Sequence, residues 1–128
     1  MVARFQTHLY SVRTAGTGVS LAGAFLLLEL SQEEPLSHSD LSSRLSIAHA
    51  TVGQTLKRLE HGGFVERSIS SGDRRKVKVR LTDKGREVCG SLRTEGEVLA
   101  ESIRVVLGDR KERELRDSLL KLASYFKV

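Results

Sequence analysis

Residues 76 to 81 read Lys-Val-Lys-Val-Arg-Leu, and a period of two suits an extended strand, with Val77, Val79 and Leu81 on one face and Lys76, Lys78 and Arg80 on the other. The two faces make opposite demands: one needs a core, the other needs water or an anion. The Ser-Ser-Gly-Asp composition of residues 70–73 is that of a turn, and Val-Glu-Arg-Ser-Ile-Ser at 65–70 can supply the partner strand of a hairpin. Alternation in that partner is poor, because Arg67 shares parity with Val65 and Ile69. The hairpin is therefore read from its second strand and its turn. A lysine-bearing strand face also suits an exposed sheet edge, where charge blocks unwanted pairing. The rest of the chain has to decide between the two readings.

At 128 residues the chain has the length of one domain with a modest core. Charged residues are 29% and apolar residues 39%, with one Pro, which argues for a folded protein. The formal charge is +5, and its distribution says more than its total. From Arg44 to Arg80 there are nine Lys or Arg against three acids, so this segment alone carries more positive charge than the whole chain. That permits a nucleic-acid partner. One cysteine, Cys89, leaves no internal disulfide framework and suits a reducing cytosol. The most apolar run, LAGAFLLLEL at 21–30, is well short of the ~20 residues that span a bilayer. It reads as a buried helix. We expect a cytoplasmic protein with no membrane partner.

Phe5, Leu9 and Val12 recur at helical spacing and predict a short first helix over about residues 3–13, broken around Gly16 and Gly18. A second, apolar on nearly every side, starts near Val19 or Ser20 and ends before Pro35. Ser39 is then expected to cap a short helix opened by Asp40, with Leu41 and Leu45 inward. After a turn at Ser46 to Ala48, a further helix is predicted over about residues 49–61, stopped by Gly62-Gly63. Its inward face is Val52, Leu56 and Leu59; its outward face holds Ala50, Gly53, Gln54 and Lys57, with Arg58 to one side. Two short helices joined by a tight turn and followed by a basic hairpin outline a winged helix-turn-helix. Beyond it, Thr82 is expected to cap a helix of some 25 residues, roughly 38 Å long, with Val88, Leu92, Leu99, Ile103 and Val106 on one stripe. Gly108-Asp109 breaks it. A last helix carries Leu115, Leu119, Leu122 and Phe126.

The order of elements and three strings within residues 36–88 resemble the MarR family of winged-helix transcriptional regulators. The strings are SDLSSRL at 39–45, TVGQTLKRLEHGGFVER at 51–67 and DRRKVKVRLTDKG at 73–85. The fold class implied is mainly α with a small β-hairpin: a single domain over residues 1–128, with a winged helix-turn-helix lobe at 19–81 and dimerisation helices at 1–18 and 82–128. The resemblance implies a homodimeric regulator, a repressor by expectation, on a pseudo-palindromic operator in double-stranded DNA, released by a small-molecule effector. Phe5, Leu9, Leu99, Ile103, Leu115, Leu119, Leu122 and Phe126 are the expected dimerisation residues. Where the family often has Ser and Arg, this chain has Ala48 and Gln54, departures that bear on the operator sequence.

On DNA, the exposed face of the helix at 49–61 suits the major groove. His49, Ala50, Thr51 and Gln54 are the expected base-proximal residues, Gln54 as a bidentate partner of adenine, while Lys57 and Arg58 suit phosphates. In the wing, Arg74 and Arg75 can reach the neighbouring minor groove, whose potential favours arginine. The resemblance makes Arg75 the inserting residue and Asp73 its organiser. Lys76 and Lys78 then follow phosphates.

Other functions fit less well. There is no Gly-rich phosphate loop and no helix with metal ligands at suitable spacing, so neither an enzyme nor a cofactor or metal site is expected. His8, His38, His49 and His61 read as solvated or capping residues, and Cys89 as a small buried apolar group rather than an oxidant sensor. A winged-helix module that binds protein would present a neutral recognition face and no clustered arginines. An RNA binder would expose aromatics for stacking. An effector cavity is expected near Tyr10, Arg13 and Phe25.

Overall fold

The computed structural model describes residues 17–69 and 77–126. The first helix expected at residues 3–13 and the wing tip at 70–76 lie outside them. By internal contacts the chain forms two compact units, residues 1–92 and 93–128.

The first unit is built around α1 (Leu21–Gln32), which Ser20 caps by accepting from the Gly23 backbone N–H at 3.1 Å. Leu26, Leu27 and Leu30 are fully buried, as a helix apolar all round should be. The chain continues through β1 (Leu36–Ser37), α2 (His38–Leu45), α3 (His49–His61), β2 (Val65–Ile69), β3 (Val77–Leu81) and α4 (Asp83–Leu107). Leu36, Leu41, Val52, Leu56 and Val79 close the core around α1. Cys89 is buried there too and donates its thiol to the Leu27 carbonyl at 3.3 Å, which is how a small core residue behaves.

Three expectations change. Ser37, not Ser39, caps α2: its side chain accepts from the Asp40 N–H at 3.0 Å while the Asp40 carboxylate accepts from the Ser37 N–H at 2.9 Å, a reciprocal capping box. Ser37 is available because it ends a strand and is already extended. That strand, β1, is the second difference. The sheet has three antiparallel strands in the order β1-β3-β2, with Leu36 opposite Val79 and Ser37 opposite Lys78. β3 is therefore the middle strand, and its Lys78 does not guard an edge. The third concerns the apolar face of the hairpin. Val79 and Leu81 are buried, but Val77 is 37% exposed and its partner Ile69 is 68% exposed. Towards its tip the hairpin runs out beyond the core, so parity no longer decides burial.

Thr82 caps α4 as expected, accepting from the Gly85 N–H at 3.1 Å and donating its hydroxyl to the Gly63 carbonyl at 2.5 Å. A Cβ at Gly85 would stand 2.1 Å from the Phe64 carbonyl oxygen, so only glycine lets α4 lie this close to the start of the hairpin. Glu34 fastens the junction, accepting from the Leu81 N–H at 2.8 Å and pairing with Arg86.

The second unit holds the rest of α4 and α5 (Asp109–Phe126), separated by Gly108. α5 has no buried residue. Leu115, Leu119, Leu122 and Phe126 are 45%, 56%, 54% and 66% exposed, and Val106 on α4 is 80% exposed. No helix among the described residues is long and apolar enough to cross a membrane.

Candidate nucleic-acid interface

The spacing of Val52, Leu56 and Leu59 buries one side of α3, and Thr55 joins them by donating its hydroxyl to the Thr51 carbonyl at 2.7 Å. The helix stops where predicted, with the Gly62 N–H bonded to the Arg58 carbonyl and Gly63 at φ +79. With that side fixed, His49, Ala50, Thr51, Gln54, Lys57 and Arg58 all face solvent. Every recognition-helix residue expected from the sequence therefore lies on one exposed face.

The described cations of this unit differ in what they touch. Arg44 spans Glu33 at 2.7 Å and Glu29 at 3.6 Å; its hydrogen bond holds the Glu33 carboxyl below the usual carboxylate range, and the same bond raises Arg44. Arg67 pairs with Glu60 at 3.0 Å, Arg86 pairs with Glu34, and Lys84 donates to the Gly62 carbonyl at 2.7 Å. Lys78, expected to follow phosphates, lies 3.7 Å from Asp40. The Asp40 carboxyl is held below its ordinary range chiefly by the Ser37 backbone N–H and then by the Ser37 hydroxyl, with Lys78 and Arg44 adding smaller effects. By contrast, Gln54, Lys57 and Arg58 make no side-chain hydrogen bond or ion pair among the described residues. With no partner among the described residues, Lys57 and Arg58 can bind an outside anion without breaking an ion pair within that set.

Beside α3 a cleft of about 510 Å³ runs between the start of α2 and the hairpin, lined by His38, Ser39, Asp40, Leu56, Arg67 and Lys78 among others. Arg80 is exposed on β3. Asp73, Arg74, Arg75 and Lys76 lie outside the described residues, as do Tyr10 and Arg13. Phe25, 43% exposed, borders a groove of about 430 Å³ with Leu21, Ala22, Leu45, Ile47 and Thr51. One residue the sequence reading left without a role is His38. Its ring stacks on that of His49, with centroids 5.2 Å apart, and its Nε2 lies 2.7 Å from the His49 carbonyl. Eleven residues separate the two, and no periodicity announces such a pair.

A helix-turn-helix with a three-stranded wing on its flank is the winged helix-turn-helix class of fold. Comparison with known proteins makes it specific: the MarR family model matches residues 19–77. Over 108 residues the chain is 35% identical to the uncharacterized HTH-type transcriptional regulator YdgJ of Bacillus subtilis (strain 168), covering 84% of this chain and 66% of that protein. Over 67 residues it is 43% identical to the HTH-type transcriptional regulator TtmR of Methylorubrum extorquens (strain PA1), covering 52% of this chain and 34% of that one. The crystal structure of Streptococcus pneumoniae FabT in complex with DNA superposes with a TM-score of 0.81 at 21% identity, over 98% of this chain and 92% of that one. The chain belongs to the MarR family, a family of transcriptional regulators and not of enzymes. It spans about a third to two thirds of the length of the curated relatives it matches.

Proposed function

We propose that this protein is a DNA-binding transcriptional regulator that sets α3 into the major groove and reaches the neighbouring minor groove with the wing. The observation that carries this reading is the exposed face of α3, where Gln54, Lys57 and Arg58 make no side-chain hydrogen bond or ion pair among the described residues. Lys57 and Arg58 have no internal acid among the described residues, whereas Arg44, Arg67, Lys78 and Arg86 each have one. Beside them, the exposed Gln54 adds an amide that can pair with a base edge, so one helix face offers contacts for both phosphates and bases. The names of the curated relatives and the DNA bound to the pneumococcal structure favour the same reading.

In this reading Thr51 and Gln54 contact base edges, His49 a base or a phosphate, and Lys57 and Arg58 phosphates. Arg75 enters the minor groove with Asp73 as its organiser, and Arg74 and Lys76 add charge. Lys78 is shared between Asp40 and DNA. The protein acts as a homodimer joined through Leu99, Ile103, Leu115, Leu119, Leu122 and Phe126 together with Phe5 and Leu9. Its two copies of α3 then fit half-sites one helical turn, ~34 Å, apart. It works as a repressor. A small apolar effector in the groove beside Phe25 would act on α3 directly, because Thr51 belongs to both.

The test is enrichment of a random-sequence duplex pool on the immobilised protein, followed by sequencing. The reading predicts an inverted repeat with half-sites about one helical turn apart. A pool that stays random would contradict it.

A further inference from the structure

We infer that His38 is a positioning residue for base recognition: from α2 it holds the first turn of α3, and the His49 ring, in the orientation that reads DNA. The inference rests on the DNA-binding reading above. It starts from a deficiency. The N-cap of α3 is Ala48, which has no side-chain oxygen, and the helix has no side-chain cap hydrogen bond. The turn that carries His49, Ala50 and Thr51 is thus not anchored in the usual way.

His38 supplies three contacts to the start of α3. A carbonyl oxygen only accepts, so the 2.7 Å contact between His38 Nε2 and the His49 carbonyl requires that Nε2 carry the proton and donate. The two imidazoles stack within 20° of parallel, which fixes the His49 side chain as well as its backbone. The edge of the His38 ring also lies against Gly53, where a Cβ would stand 3.1 Å from His38 Cε1, tighter than an ordinary contact. One ring thereby touches the main chain, a side chain and the following turn of the recognition helix. Bidentate base contacts tolerate roughly 0.5 Å and 10–20° of error, so a support at this point bears on discrimination more than on the fold. It also gives Gly53, an unfavourable residue inside a helix, a reason to be there.

The test uses the duplex enriched by the wild type and a scrambled duplex, with anisotropy giving the ratio of affinities and thermal unfolding giving stability. His38→Ala is expected to lower the ratio about tenfold by weakening the enriched complex. His38→Gln, whose amide N–H can reach the same carbonyl, is expected to recover most of the loss. Gly53→Ala should keep or raise the melting temperature, since alanine is the better helix former, and still lower the ratio. With His38 already alanine, Gly53→Ala should cost nothing further. The inference is overturned if His38→Ala discriminates as well as the wild type, or if glutamine rescues no better than alanine. It is also overturned if the ratio simply follows melting temperature across the set. A wild type that treats both duplexes alike would overturn the DNA-binding reading and this inference with it, an outcome distinct from the others.

Discussion

At the scale of single residues, Asp40 holds the start of α2 by several contacts at once. It accepts from the Ser37 N–H, its own N–H is accepted by the Ser37 hydroxyl, and Lys78 lies 3.7 Å away. These contacts depress its pKa. A carboxyl whose folded pKa lies below its unfolded value contributes stability above the unfolded value, and that contribution is lost as pH falls through the folded one. Asp40→Asn should therefore be less stable than the wild type at pH 7 by about 0.5–1 kcal/mol, a figure kept small because solvent screens the half-exposed carboxyl. The gap should begin to close below about pH 4, the ordinary aspartate value, and narrow further as pH falls. Urea unfolding of both proteins at pH 7 and pH 3 checks it. The sequence pointed to a capped helix here but chose the wrong serine. Ser-His-Ser-Asp offers two caps, and only the strand pairing of Leu36 and Ser37 selects the first. His38 was out of reach for a related reason, since its partners are set by how α2 crosses α3.

Among the elements, α3 was the most legible. Its buried residues recur at four and three, and two glycines end it, so its limits and its exposed face follow from local rules. β1 could not be read, because two residues carry no period. It matters all the same, since it turns β3 from an edge into a central strand. The outer half of the hairpin departs from its pattern at Val77 and Ile69, where there is no longer a core to face. What the outer hairpin does is a matter for its arginines. Arg75→Ala should weaken binding to enriched and scrambled duplexes alike and reduce the slope of log affinity against log salt by about one. Anisotropy titrations at several salt concentrations measure this; an unchanged slope would remove Arg75 from the interface.

For the whole molecule, the charge and the apolar surface suit different partners. The net positive charge concentrates between Arg44 and Arg80, whereas among the described residues the exposed apolar side chains concentrate in the last third of the chain. The length of α4 was legible from its stripe, and so was its need for a cover, because a stripe of that length exceeds what a small lobe can bury. Which copy or partner covers it is not written in any local pattern. We assign it to a second copy of the chain. Leu119→Glu puts a charge into that surface and should shift the sedimenting species from dimer to monomer, while the melting of the lobe stays within a few degrees of the wild type. A wild type that sediments as a monomer at micromolar concentration would contradict the assignment.

In the proposed function, the exposed face of α3 reads base sequence. Its most direct test is a pair of anisotropy titrations, wild type and Gln54→Ala, each on the enriched and the scrambled duplex at one fixed salt concentration. The wild type should prefer the enriched duplex by ~10³-fold or more, and Gln54→Ala should give up about tenfold of that preference while binding the scrambled duplex as before. Equal affinity of the wild type for both duplexes, or a preference untouched by Gln54→Ala, would contradict it.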